Sequence, residues 1–112
     1  MRRGQEITIS PRGLVAMMEQ SKAAAFSRLD ALEGELDKAF RGCRAVSVGG
    51  VVLRGVRHVV IDVTSYRRAD MACLRFLDDS GSETARMIVG TDAPIRATIS
   101  TCGRVITFTA ND

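Results

Sequence analysis

From Pro11 to Phe40 the apolar residues recur at the spacing of an α-helix, and after Gly42 they alternate one by one. That change of period most constrains the fold. A helix-period segment cannot sit as a strand, so the chain belongs to the α+β class.

Ser10-Pro11 reads as the start of the helix. A Ser hydroxyl accepts one of the free N–H groups of the first turn, and Pro at the first helical position lacks only a donor that would go unused. Gly13 weakens that first turn slightly. Arg41-Gly42 reads as the end, with Gly42 free to take the left-handed conformation. One continuous helix over 11–41 would be about 45 Å long.

On such a helix Leu14, Val15, Met17, Met18, Ala25, Phe26, Leu29, Leu32, Leu36, Ala39 and Phe40 share one half of the cylinder. A stripe that wide exceeds a two-stranded coiled-coil seam. Within it Val15, Met18, Leu29, Leu32 and Leu36 follow the 3-4 spacing that suits a partner helix, although Lys22 interrupts the series. The sequence therefore predicts a helix with two tasks: part of the stripe covers the chain's own sheet, and the rest meets its copy in a homodimer. Two alternatives stand beside this. The helix packs on its sheet with no partner, or it breaks into a hairpin near Gly34, where glycine costs about 1 kcal/mol in a helix interior. The rim carrying Glu19, Asp30, Glu33 and Asp37 is acidic, and reads as a contact for basic residues or as a solvated face.

Glu6 to Ser10 is a short β-branched run that reads as an edge strand closing an N-terminal arm over 1–10. Beyond Gly42, Arg44 to Val48 and Val51 to Arg54 flank the hairpin turn Gly49-Gly50. Val56 to Thr64 is the strongest strand, with Val59, Ile61 and Val63 on one face and His58, Val60, Asp62 and Thr64 on the other. Asp70 to Leu77, Glu83 to Val89, Ile95 to Thr101 and Arg104 to Thr109 complete the pattern, with Ala72, Leu74, Phe76, Ala85, Met87, Val89, Ile95, Ala97, Ile99, Ile106 and Phe108 facing inward. Short connections leave no room for parallel crossovers. The expected architecture is a single domain: a long N-terminal helix packed on a curled antiparallel sheet, or a small β-barrel, of five to six strands over 43–110.

Composition excludes little. With 46% hydrophobic residues in 112, the chain can build a core. No run of about 18 apolar residues spans a membrane, and Met1-Arg2-Arg3 is not followed by an apolar signal segment, so the expected location is cytoplasmic. Cys43, Cys73 and Cys102 include no C-x-x-C pair and fit free thiols better than a disulfide framework. The net charge is +3, carried almost wholly by Arg. Arg suits bidentate contact with phosphate, but a GC-rich coding composition yields the same bias.

No motif here carries a named chemistry. His58 and Asp62 share a strand face about 13 Å apart, too far for a dyad. A cysteine nucleophile needs a base and a lowered pKa, and His58 is the only histidine. Asp78, Asp79, Glu83 and Asp92 match no cation-binding spacing, and Asp in turns serves backbone geometry. Arg54, Arg57, Arg67 and Arg68 form the best candidate for anion or nucleic-acid contact, yet few aromatics accompany them and acids are interleaved. The reading is of a non-catalytic protein-binding or adaptor module without cofactor or metal, homodimeric through its helix, engaging its partner by a sheet edge or by the apolar remainder of the helix. A nucleic-acid binder using the Arg-rich loops is the first alternative. A small-molecule binder or enzyme with a pocket in the sheet is the second.

Overall fold

The computed structural model describes residues 5–66, 69–90, 93–100, 102 and 104–110. The elements run β1 (Glu6–Ile9), α1 (Pro11–Gln20), α2 (Lys22–Arg41), β2 (Ala45–Val48), β3 (Val51–Leu53), β4 (His58–Tyr66), β5 (Ala69–Leu77), β6 (Glu83–Gly90), β7 (Ile95–Ile99) and β8 (Val105–Ala110). The α+β class stands.

The single long helix does not. Ser21 is extended (φ −159°, ψ 112°) and divides the segment into helices of 10 and 20 residues. Its N–H closes α1 on the carbonyl of Met17, 2.7 Å away, while its hydroxyl accepts the N–H of Ala24 at 3.2 Å and caps α2. The corner lets α1 pack on β4 and β5 while α2 packs on β4. A straight rod of about 45 Å would overrun a molecule whose longest dimension is 38 Å. Gly34 lies inside α2 without breaking it. Ser10 caps α1 as expected, accepting the N–H of Gly13 at 3.1 Å. Gly42 ends α2 with φ −93° rather than in the left-handed region.

The strands form two sheets, not a closed barrel. A five-stranded sheet has the order β1-β7-β8-β2-β3, and a three-stranded sheet the order β4-β5-β6. Among the described residues the range 43–110 thus holds seven strands, against the five to six expected there, and β1 is the short strand expected ahead of the helix. Gly49 and Gly50, at φ 56° and 84°, turn β2 into β3. Gly55, at φ 81°, then takes the chain out of the first sheet before β4 begins, which is why β3 and β4 do not close a barrel. One pairing is parallel: β2 runs alongside β8, Val46 opposite Ile106. No short crossover links them. The chain passes through β3, the whole second sheet and β7 before it returns, so short local connections coexist with a parallel neighbour.

The inward sets of the strands are largely as the alternation indicates. Val59, Ile61, Val63, Ala72, Leu74, Phe76, Ile95, Ala97, Ile99, Ile106 and Phe108 are buried, and Ala85, Met87 and Val89 pack half-buried against them. The aromatic centre is Phe108, whose ring lies 4.9 Å from Phe76, edge to face, and 6.2 Å from Phe40. Phe40 comes from α2, so helix and both sheets share one core.

Candidate functional site

The helix residues expected to meet a partner helix are mostly spent inside the chain. Val15, Leu29, Leu32 and Leu36 are buried core residues, and Met18 packs half-buried against them. Two sheets offer α2 more apolar cover than the one small sheet expected, and they take up the stripe. What escapes is Phe26. Three of the four phenylalanines are fully buried, while Phe26 is 55% exposed.

The acidic rim of α2 does something the sequence did not suggest. Asp37 Oδ1 accepts the backbone N–H of Val59 at 3.1 Å, and Glu33 Oε2 accepts that of Ile61 at 2.8 Å. β4 is an edge strand, paired on one side with β5 only; on the other side α2 supplies carboxylates where a neighbouring strand would supply carbonyls. The geometry is a match of rises. Four helix residues advance about 6 Å and two strand residues about 6.7 Å, so Asp37 and Glu33 keep step with Val59 and Ile61 on antiparallel paths. The signal in the sequence was two acids at i and i+4 bordering the apolar stripe, but the strand they serve could not be named from it. Asp37 Oδ2 also lies 3.4 Å from His58 Nδ1.

One step further the match ends. The next helix position in the series is Leu29 and the next amide on that edge of the strand belongs to Val63, whose side chain is buried, and no carboxylate stands there. At this point a groove of about 460 Å³ opens between helix and strand edge, lined by Met18, Phe26, Leu29, Asp30, Glu33, Val60, Ile61, Asp62 and Val63. Its floor is apolar and its rim is acidic. Burial holds the Glu33 carboxyl above the usual range. The Ile61 amide opposes this, and the negative charges of Asp30, Asp37 and Asp62 add to the rise.

A larger hollow of about 560 Å³ lies between β1 and α2, where Glu6 and Glu35 face Lys38 beside Ile7, Ala39 and Ile99. It presents no large exposed apolar side chain. A third, of about 160 Å³, sits between the end of β1, α1 and the middle of α2, lined by Thr8, Leu14, Met17, Arg28 and Leu32 among others. None of these three contains His58 or a cysteine.

Several of the other candidates are engaged within the chain. Arg57 Nη1 donates to the carbonyl of Phe40 at 3.3 Å and its Nε lies 3.5 Å from Asp79. Arg54 is exposed, and Arg67 and Arg68 fall outside the described residues, as does Asp92. Asp78 Oδ1 accepts from Ser80 N, Ser80 Oγ and Ser82 N at 2.9, 2.6 and 2.9 Å, which builds the β5–β6 turn. Those bonds, that of the Ser80 hydroxyl first, hold its carboxyl below the usual range. Glu83 pairs with Arg86 at 3.0 Å, and Asp62 with Arg75 at 3.8 Å. Among the described residues no three His, Cys, Asp or Glu side chains gather as metal ligands. Cys43 Sγ donates to the carbonyl of Ala45 at 2.8 Å. Cys102 Sγ lies 3.3 Å from Ser100 Oγ, a contact that heads the causes drawing its thiol pKa down. No helix among the described residues is long and apolar enough to cross a membrane.

Compared with family models, with characterised proteins and with solved structures, the chain shows no match. The groove must therefore be read on its own geometry.

Proposed function

We propose that the chain is a non-catalytic protein-binding module whose recognition element is the groove between α2 and the open part of the β4 edge. The observation that carries this is the exposed Phe26 standing over a strand edge whose carboxylate cover stops at Ile61. Solvent-facing aromatics set over apolar floors are the common anchors of protein interfaces. A bare strand edge offers backbone groups to an extended segment, which adds as a further strand. Val60, Asp62 and Val63 line that edge and Met18 and Leu29 supply the floor, so the partner meets both elements at once.

The nucleic-acid reading has less support. Arg57 is engaged with Asp79 and with the end of α2, and the groove itself is acidic. Catalysis lacks a nucleophile beside His58, whose partner is Asp37.

The test is a selection of random displayed peptides on the intact chain and, in parallel, on Phe26→Asp. Sequences that enrich on the parent chain and are lost on the variant support the groove. Enrichment indifferent to Phe26, or no enrichment, overturns it. Thermal unfolding of both proteins checks that the variant keeps its fold.

A further inference from the structure

We infer that the segment taken up by the groove is basic and extended, alternating arginine or lysine with aliphatic residues; this rests on the groove being the recognition element. Charge and alternation both point to such a segment. Asp30, Glu33 and Asp62 border the groove, and its lining holds no Lys or Arg. Asp30 has no ion pair among the described residues, and Asp62 is met only by Arg75, at 3.8 Å with both side chains well exposed. The chain as a whole is +3, so this concentration of negative charge runs against the net sign. The like charges already act on one another, since Asp30, Asp37 and Asp62 each disfavour ionised Glu33. A cation seated between them relieves that repulsion, and an anion meets it. Phosphate backbones are accordingly excluded as occupants of this site.

Strand geometry supplies the alternation. A segment added beside β4 points successive side chains to opposite faces. One set falls beside Val60 and Asp62, on the outer face of the sheet; the other falls toward Phe26 and Leu29 of the helix. The first set meets a carboxylate and the second an apolar floor. Because Val59 and Ile61 already give their amides to Asp37 and Glu33, the segment meets Val60 and Asp62 through its side chains and pairs its backbone at Val63.

The experiment titrates the intact, isotope-labelled chain with three synthetic peptides of equal length, in which valine alternates with arginine, with glutamate or with serine. The arginine peptide is expected to shift the amide resonances of Val60 to Val63 and those around Phe26. Its affinity is expected to fall on the order of tenfold between low salt and about 0.3 M salt, as screening shortens the reach of the carboxylates. The pair Asp30→Asn with Asp62→Asn should weaken it several-fold with an unchanged melting curve. If the serine peptide binds as tightly as the arginine peptide, or the Asn pair has no effect, the basic partner is wrong while the groove reading survives. If none of the three moves the groove amides, the groove reading itself fails. Light scattering of the chain alone provides the remaining arm. A dimer that dissociates on Phe26→Asp would make a second copy the occupant and overturn the inference.

Discussion

Ile61 donates its backbone amide to Glu33 across 2.8 Å, so a helix side chain completes the ladder of an edge strand. Such edges are otherwise templates for uncontrolled pairing. The carboxylate is held against its own charge, because burial and three neighbouring acids favour its protonated form.

Exchanging Glu33 separates these two effects. Glu33→Gln keeps an acceptor for Ile61 and removes the charge, so stability at neutral pH should be unchanged or higher. Glu33→Ala leaves the part-buried amide without a partner and should cost about 1 to 3 kcal/mol. The sign with pH follows from the raised folded-state value. The contribution of Glu33 is complete below the ordinary glutamate range and is lost as pH rises through the folded value. The advantage of Gln should therefore be present at neutral pH and vanish in acid, as read by urea denaturation at both.

Asp78 moves the other way. Its carboxylate is stabilised by the Ser80 hydroxyl and by the turn amides, so its contribution is present above the ordinary aspartate range and is lost as pH falls through the depressed folded value. Asp78→Ala should lower the melting temperature at neutral pH and leave it nearly unchanged in strong acid. A melting-temperature difference that grows toward low pH would contradict the turn as described.

The corner at Ser21 and the continuity at Gly34 are tested by opposite substitutions. Ser21→Ala removes the acceptor for Ala24 and should cost about 1 kcal/mol. Gly34→Ala should stabilise by about 0.5 to 1 kcal/mol, because a Cβ there meets nothing within 4 Å and α2 continues through it. Denaturant midpoints decide both. Destabilisation by Gly34→Ala would mean that the helix bends there after all.

Phe108 and Phe26 should divide cleanly between stability and recognition. Phe108 is buried between Phe40 and Phe76, and Phe108→Ala should cost about 3 to 5 kcal/mol. Phe26→Ala, at an exposed position, should change stability by no more than about 0.5 kcal/mol while abolishing the peptide-induced amide shifts.

The period switch at Gly42, the strand faces and the Gly49-Gly50 hairpin were legible because each rests on local spacing or backbone freedom. The corner at Ser21 was not. Serine both caps helices and sits on their surfaces, and nothing in Gln20-Ser21-Lys22 distinguishes the two until packing on the sheets dictates a turn. The partition into two sheets and the β2–β8 pairing depend on contacts distant in sequence, which alternation does not encode. For the site, the acidic rim and Phe26 were visible, but the homodimer seam over Val15, Met18, Leu29, Leu32 and Leu36 presumed a single sheet too small to cover them, and two sheets bury all but Met18, which is half-buried. The Arg cluster was read from residues placed in loops; of these Arg57 meets Asp79 and the end of α2, Arg54 is exposed, and Arg67 and Arg68 lie outside the described residues.

The parallel partnership of β2 with β8 has a consequence for how the molecule is made. The larger sheet consists of an early pair, β2 and β3, and a flank, β1 and β7, that touch only through β8. A nascent chain can zip the three-stranded sheet and its helix as they emerge from the ribosome, but the two fragments of the larger one stay unjoined until residues 105–110 are synthesised and slide between them. That last insertion sets Ile106 beside Val46, a closure distant in sequence, though less so than the pairing of Glu6 with Thr98. A chain cut just before Val105 would leave β7 and β2 as two ragged edges with no strand to bridge them.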